Sequence, residues 1–140
     1  MAMTPANSPW QWHVMKRPNL LVVDDETAVL RMIELAMQHY GFDVTPISSS
    51  KKAVEFYRQN SGNIDLVLLD VQLREMDGPS TLAALKQINP QVRCCFMSGH
   101  TGRYSVADLR AMGALAFLPK PFLNLTEMAQ RLHECVATGQ

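Results

Sequence analysis

The sequence predicts an α/β fold built on a doubly wound, five-stranded parallel sheet with helices on both faces. Three observations point there. Short apolar runs alternate with stretches of helical periodicity five times between residues 20 and 137. The clearest run, Leu20-Leu21-Val22-Val23, is continuously apolar, as strands buried on both faces are, and residues 64–69 are apolar except at Asp65. Polar residues close the runs, with Asp24-Asp25 after the first, Asp70 after the third and Ser98-Gly99 after the fourth. Alternation of this kind forces parallel strands with right-handed crossovers, which distributes the helices over both sides of the sheet.

Each element has its own signal. After the first strand, residues 26–40 place Val29, Ile33, Ala36 and Met37 at helical spacing, and Gly41 supplies a stop. Residues 43–47 make a weak second strand, and Pro46 puts it at an edge. Residues 50–60 read as a helix with Ala53, Val54, Phe56 and Tyr57 inward. Residues 64–69 form the third strand. The helix over 80–88 is stopped by Asn89-Pro90. The fourth strand covers 92–97, a short helix 105–112 closes at Gly113, the fifth strand covers 114–118, and the last helix spans 125–137. Residues 1–17 are expected to be a mobile N-terminal extension, with Trp10 and Trp12, and residues 18–138 a single domain.

Composition narrows the function. Hydrophobic residues are 47% and charged residues 19% of 140, a globular balance long enough to bury a core. Lys plus Arg and Asp plus Glu are 13 each, which provides no broad basic surface for direct contact with nucleic acid. No stretch reaches the roughly 20 apolar residues that cross a bilayer, and the start is not a secretory signal. A cytoplasmic location without membrane attachment is expected. Cys94, Cys95 and Cys135 form no Cys-x-x-Cys and are expected to be reduced and buried. His13, His39 and His133 read as surface residues.

In a doubly wound sheet, ligands sit beyond the carboxyl ends of the strands. The strand order 2-1-3-4-5 would bring Asp24, Asp25, Asp70, Ser98 and Lys120 to one pocket there. Clustered carboxylates are costly unless a cation neutralises them. Hard oxygen ligands suit Mg²⁺, or Mn²⁺ in its place. A carboxylate so placed can act as a nucleophile and form an aspartyl phosphate. A metal, a lysine and a hydroxyl can share the charge of the phosphoryl transition state. Alone, Asp24 and Asp25 would suit a helix N-cap and first-turn acid, and Ser98 a turn before Gly99.

The Asp24-Asp25 pair, Asp70, Met76-Asp77-Gly78, Ser98-Gly99 and Lys120-Pro121-Phe122 occur in order and at strand ends. With them the chain resembles the receiver domain of bacterial two-component response regulators over about residues 18–137. That resemblance implies the flavodoxin-like fold and a set of roles. Asp70 would accept a phosphoryl group from the phosphohistidine of a sensor histidine kinase or phosphotransfer protein. Asp25 would bind Mg²⁺ directly, Asp24 through water, and the main-chain carbonyl of Gln72 would complete the protein ligands. Lys120 would contact the phosphoryl group. Ser98 would move toward a phosphoryl oxygen, and Phe117, three residues before the lysine, would swing into the vacated space. The surface of the fourth helix, fifth strand and fifth helix would change for a downstream protein target. Gln72 and His100 occupy positions that tune phosphoryl lifetime.

Departures from the family pattern carry expectations too. Arg74 stands where many receivers have Pro, which leaves the loop freer or offers Arg74 to a partner. Phe117 lacks the hydroxyl of the commoner Tyr. The fifth strand lacks the acidic pair of receivers that dimerise through charge networks, so a monomer or weak dimer is expected. Two other functions compete. One is a degenerate receiver that serves as a phosphorylation-independent interaction module. The other is an aspartyl-intermediate phosphohydrolase, which would want a second acid where Gln72 stands. A flavin site lacks its Ser/Thr/Gly-rich phosphate loop after the first strand.

Overall fold

In the computed structural model, which describes residues 17–138, the elements alternate strictly. They run β1 (Asn19–Val23), α1 (Thr27–His39), β2 (Asp43–Ile47), α2 (Ser50–Asn60), a 3₁₀ turn (Ser61–Asn63), β3 (Leu66–Asp70), α3 (Gly78–Ile88), β4 (Cys94–Ser98), α4 (Val106–Ala111), β5 (Phe117–Pro119) and α5 (Leu125–Thr138). All strand pairs are parallel, in the order β2-β1-β3-β4-β5. Pro46 pairs opposite Val22 on the edge strand, where its missing N–H leaves no interior ladder bond unmade.

The period-two geometry of the strands divides their side chains between two cores. Leu20, Val22, Leu66, Leu68, Cys95 and Met97 pack with Leu30, Ile33 and Met37 of α1 and Met128, Leu132 and Cys135 of α5. Leu21, Val23, Val67, Leu69, Cys94 and Phe96 pack with Ala53, Val54 and Tyr57 of α2, Leu82 and Leu85 of α3 and Leu109 of α4. Each fully buried leucine contributes roughly 1.5–3 kcal/mol relative to exposure. The three central strands therefore hold their carboxyl ends level, and those ends carry the polar residues.

Several boundaries differ from the sequence expectation, each for a local reason. β3 begins at Leu66 and not at residue 64, because the Ile64 N–H closes the 3₁₀ turn onto the Ser61 carbonyl (3.4 Å). β4 begins at Cys94 and not at 92, because the Val92 N–H turns back to the Asn89 carbonyl. β5 is confined to Phe117–Pro119, while the Ala114 N–H still bonds the Leu109 carbonyl behind it. α3 starts at Gly78 and not at 80, since the Asp77 carboxylate caps it by accepting from the Ser80 N–H (2.9 Å). α4 is shorter than 105–112: Ser105 is its N-cap in a reciprocal box with Asp108, and Met112 its C-cap. α1 loses Glu26 and Tyr40 to its caps.

Two side chains correct other expectations. His133 is not a surface residue: its ring stacks on Phe42 with centroids 4.1 Å apart, and Nε2 lies 2.7 Å from the Tyr40 carbonyl oxygen. Arg17, the last residue of the expected extension, donates to the Gln38 and Phe42 carbonyls (2.8 Å each) and pairs with Asp43. His39 is exposed. Trp10, Trp12 and His13 lie outside the described residues. No described helix is long and apolar enough to cross a membrane.

Gly78 pins the loop after β3. Its N–H donates to the Val71 carbonyl (2.7 Å), and an added Cβ would run into the Asp70 carbonyl oxygen and come 2.8 Å from Val71 Cα. Those are backbone atoms that cannot step aside. Gly78→Ala is expected to cost about 3 kcal/mol, at the upper end of overpacking, read as a lowered urea midpoint.

Candidate functional site

Strand ends bring the charged residues together. Asp24 directly follows β1 and is fully buried, and its Oδ1 accepts the Glu26 N–H (2.8 Å). Asp70 is the last residue of β3 and is buried, and its Oδ1 accepts the Gln72 N–H (3.2 Å). Lys120 is delivered from β5, where its own N–H donates to the Ser98 carbonyl (3.0 Å). Its Nζ lies 2.7 Å from Asp24 Oδ2, 3.0 Å from Asp70 Oδ2 and 3.2 Å from Glu26 Oε1. One oxygen from each of Asp24, Glu26 and Asp70 falls within 4.8 Å of the others.

The pocket holds three carboxylates and one ammonium, so it retains negative charge. Burial pushes Asp70 up to about 6, with the Lys120 contact opposing and the Asp24 charge reinforcing the shift. Burial also acts against the charged form of Lys120, but its hydrogen bonds to Asp24 and Asp70 hold its pKa above the usual lysine range. Lys120 therefore stays protonated while Asp70 is the group that yields. An anionic oxygen cluster of this kind, short of one or more positive charges, fits a hard divalent cation. Asp24, Glu26 and Asp70 could hold it.

The other residues singled out from the sequence are placed as follows. The Asp25 carboxylate is half-buried beside the pocket but turns to Arg74: its Oδ2 accepts the Arg74 N–H (3.0 Å) and Nε (3.3 Å). Arg74 is thus engaged within the chain, at a position read as freeing the loop or meeting a partner. Buried Ser98 closes β4, and its hydroxyl is hydrogen-bonded to the His100 carbonyl and accepts the His100 N–H (3.0 Å). His100 is exposed, with Nδ1 accepting the Gly102 N–H (3.0 Å). Phe117 is half-buried against the core shared with α2, α3 and α4, and its carbonyl accepts from Arg131. Gln72 is exposed, with its side chain beside Gly102 of the loop after β4.

Sequence reasoning missed Glu26. It was read as the start of a helix, and as the N-cap of α1 it does mark that start. Its signal was the unbroken Asp24-Asp25-Glu26 run. In an extended backbone, alternate residues share a side, so Asp24 and Glu26 reach Lys120 while Asp25 faces the Arg74 loop. The loop after β4 adds Tyr104, whose hydroxyl donates to Asp77 Oδ2 (2.8 Å) and so ties that loop to the start of α3.

The sheet order and the acids converging beyond the strand ends place the protein among the flavodoxin-like α/β domains. Comparison with known proteins is more specific. The profile of the response regulator receiver domain matches residues 20–133, and the chain belongs to that family. It is 36% identical over 104 residues to the chemotaxis protein CheY of Bacillus subtilis, covering 74% of this chain and 85% of that protein. It is 35% identical over 115 residues to the sensor kinase CckA of Brucella abortus, covering 82% of this chain. The chain spans only 12% of that kinase, and 26% of the transcriptional regulatory protein ZraR of Escherichia coli K12. A receiver domain protein of Clostridium thermocellum superposes with a TM-score of 0.79 at 24% identity, covering 86% of this chain and 94% of that one. The CheX–CheY–BeF₃–Mg²⁺ complex of Borrelia burgdorferi gives 0.77 at 27% identity, covering 84% and 87%.

Proposed function

We propose that the chain is a phosphoryl-accepting switch, with Asp70 as the acceptor and a sensor histidine kinase or phosphotransfer protein as the donor, acting in the cytoplasm. The observation that carries the reading is the Lys120 ammonium seated between two buried carboxylates, 2.7 Å from Asp24 and 3.0 Å from Asp70. An Asp70 oxygen attacks phosphorus as the phosphohistidine P–N bond breaks. Lys120 stays charged and turns from carboxylate to phosphoryl oxygen. The Ser98 hydroxyl leaves the His100 carbonyl and donates to a phosphoryl oxygen. Phe117, already half-buried, follows into that space, and the α4, β5 and α5 surface changes for a protein target. Gln72 and His100 stand at the rim, where they set access for the hydrolytic water. The chain acts as a monomer or weak dimer and catalyses only its own phosphorylation and dephosphorylation.

Asp24, Asp25, Asp70 and the Gln72 carbonyl would hold Mg²⁺ or Mn²⁺, which supplies the positive charge that the phosphoryl oxygens need. For Asp25 to join, its carboxylate must exchange Arg74 for the cation. Asp25→Ala is expected to weaken Mg²⁺ binding at least tenfold in a calorimetric titration, and an unchanged titration would remove Asp25 from the ligand set.

The test of the reading is incubation with Mg²⁺ and a small acyl phosphate. Mass spectrometry is expected to find one acid-stable, base-labile phosphoryl group. No mass gain would favour the interaction module instead. Turnover of phosphate esters in excess of the protein would favour the phosphohydrolase.

Asp70 also predicts a pH dependence. Its folded pKa, about 6, lies above its ordinary value of 3.8. The stability linked to this carboxyl is therefore fully present below about pH 3.8 and lost as pH rises through 6. Mg²⁺ competes with the same proton. Its affinity is expected to fall steeply as pH drops from 7 to 5 and to level off above 7, which titrations at fixed ionic strength would read.

A further inference from the structure

Two thiols unused by the phosphoryl chemistry lie side by side in the core. Cys95 sits on β4 and Cys135 near the end of α5, both buried, with the Cys95 Sγ–H directed at Cys135 Sγ across 3.4 Å. Strand geometry selects Cys95 over its neighbour. Successive side chains of β4 point to opposite faces, so Cys94 lies in the core under α2, α3 and α4, away from α5. The pair is also asymmetric. Cys95 is fully shielded, whereas Cys135 keeps 8% exposure. The hydrogen bond from Cys95 lowers the Cys135 thiol to about 7, with burial and Glu134 opposing and Arg131 assisting. The same hydrogen bond, then burial, pushes Cys95 up, and burial pushes up Cys94. Cys135, the more exposed sulfur and the acceptor of the pair, is thus the one that meets an oxidant, and Cys95 the thiol waiting beside it.

We propose that Cys95 and Cys135 are a peroxide-oxidisable pair whose disulfide ties β4 to α5. The Cys135 thiolate attacks hydrogen peroxide: an S–O bond forms, the O–O bond breaks, and hydroxide leaves to take a proton as water. Cys95 sulfur then attacks the Cys135 sulfenic sulfur. The S–S bond forms, the S–O bond breaks, and the departing hydroxide takes the Cys95 proton as a second water. The two sulfurs together lose two electrons, and the peroxide gains them. Closing from 3.4 Å to about 2 Å takes a little over 1 Å of side-chain movement, within the reach of two χ1 adjustments. The staple holds the C-terminal part of α5 on the sheet. It rests on packing, not on the phosphoryl reading: Cys95 lies three residues before Ser98, about 10 Å down the strand from the acid pocket.

The full chain would be treated with hydrogen peroxide under native conditions, quenched, denatured and assayed. The expected result is loss of two of the three thiols, a mass decrease of two hydrogens, and a Cys95–Cys135 cross-link in the peptide map that dithiothreitol reverses. The link closes a loop across 40 residues, so the oxidised protein should unfold roughly 10 °C higher than the reduced one. Cys95→Ala and Cys135→Ala should each abolish the mass decrease, and Cys94→Ala should keep it. Mg²⁺ titration should be unchanged by oxidation. Three surviving thiols, oxygen addition at Cys135 without a cross-link, a link through Cys94, or a disulfide between chains would each overturn the proposal. The wild-type peptide map decides it even if a variant fails to fold.

Discussion

Asp70→Asn is expected to take up no phosphoryl group from an acyl phosphate and Mg²⁺, under conditions that label the wild type to completion. The amide oxygen is a far weaker nucleophile, and it brings no negative charge to the cation. The same change should make the protein more stable without metal. Asp70 is buried, and ionising it at neutral pH works against a folded pKa of about 6. A shift of about two units, at 1.36 kcal/mol each, bounds the relief near 3 kcal/mol. Losing the Lys120 contact takes some of it back, so about 1–3 kcal/mol is expected. Circular dichroism melts at pH 7 in EDTA should show a higher midpoint for the variant. At pH 4, where Asp70 is already protonated, the two proteins should melt together. Labelled Asp70→Asn protein would exclude Asp70 as the acceptor.

Lys120→Ala should have the opposite effect on stability. It removes the ammonium that Asp24, Glu26 and Asp70 share, and leaves buried carboxylates facing one another. Breaking a buried pair from one side costs about 3–5 kcal/mol, which for a domain of this size lowers the melting point by roughly 10–20 °C. Excess Mg²⁺ should recover much of the loss, because the ligands remain and the pocket is more negative. Acidification should recover part as well, as Asp70, whose carboxyl pKa rises further once Lys120 no longer lowers it, takes a proton. Adding Asp70→Asn to Lys120→Ala should raise the melting point again, since the two residues share one interaction. With the metal bound, phosphorylation should still occur but no longer reach the α4, β5 and α5 surface. A melting point within about 2 °C of wild type in EDTA would show that Lys120 does not offset the buried acids.

Much of this site was legible because strand ends are legible. Continuous apolar runs name buried strands, and the first polar residue after each run must lie at a sheet edge. Asp24, Asp70, Ser98 and Lys120 were found that way, and the structure brings Asp24, Asp70 and Lys120 into direct contact. Local turn chemistry was harder to read. Ile64 and Val92 are apolar and look like strand, but each is committed to a turn hydrogen bond that propensity does not register. Gly78 and Pro79 look like loop, yet they open α3 because Asp77 caps it.

The sequence alone determined that the central strands are buried on both faces, the parallel direction that follows from alternation, and the set of polar residues gathered at one rim, since all three depend on local period and chain connectivity. Only tertiary structure decided which acids share the lysine. Asp25 turned to Arg74, 49 positions away, while Glu26 joined Asp24 and Asp70. It also decided that His133 stacks on Phe42 and that Cys95, not Cys94, meets Cys135. Those outcomes depend on distances between elements remote in the chain, and close packing settles such distances where local pattern cannot.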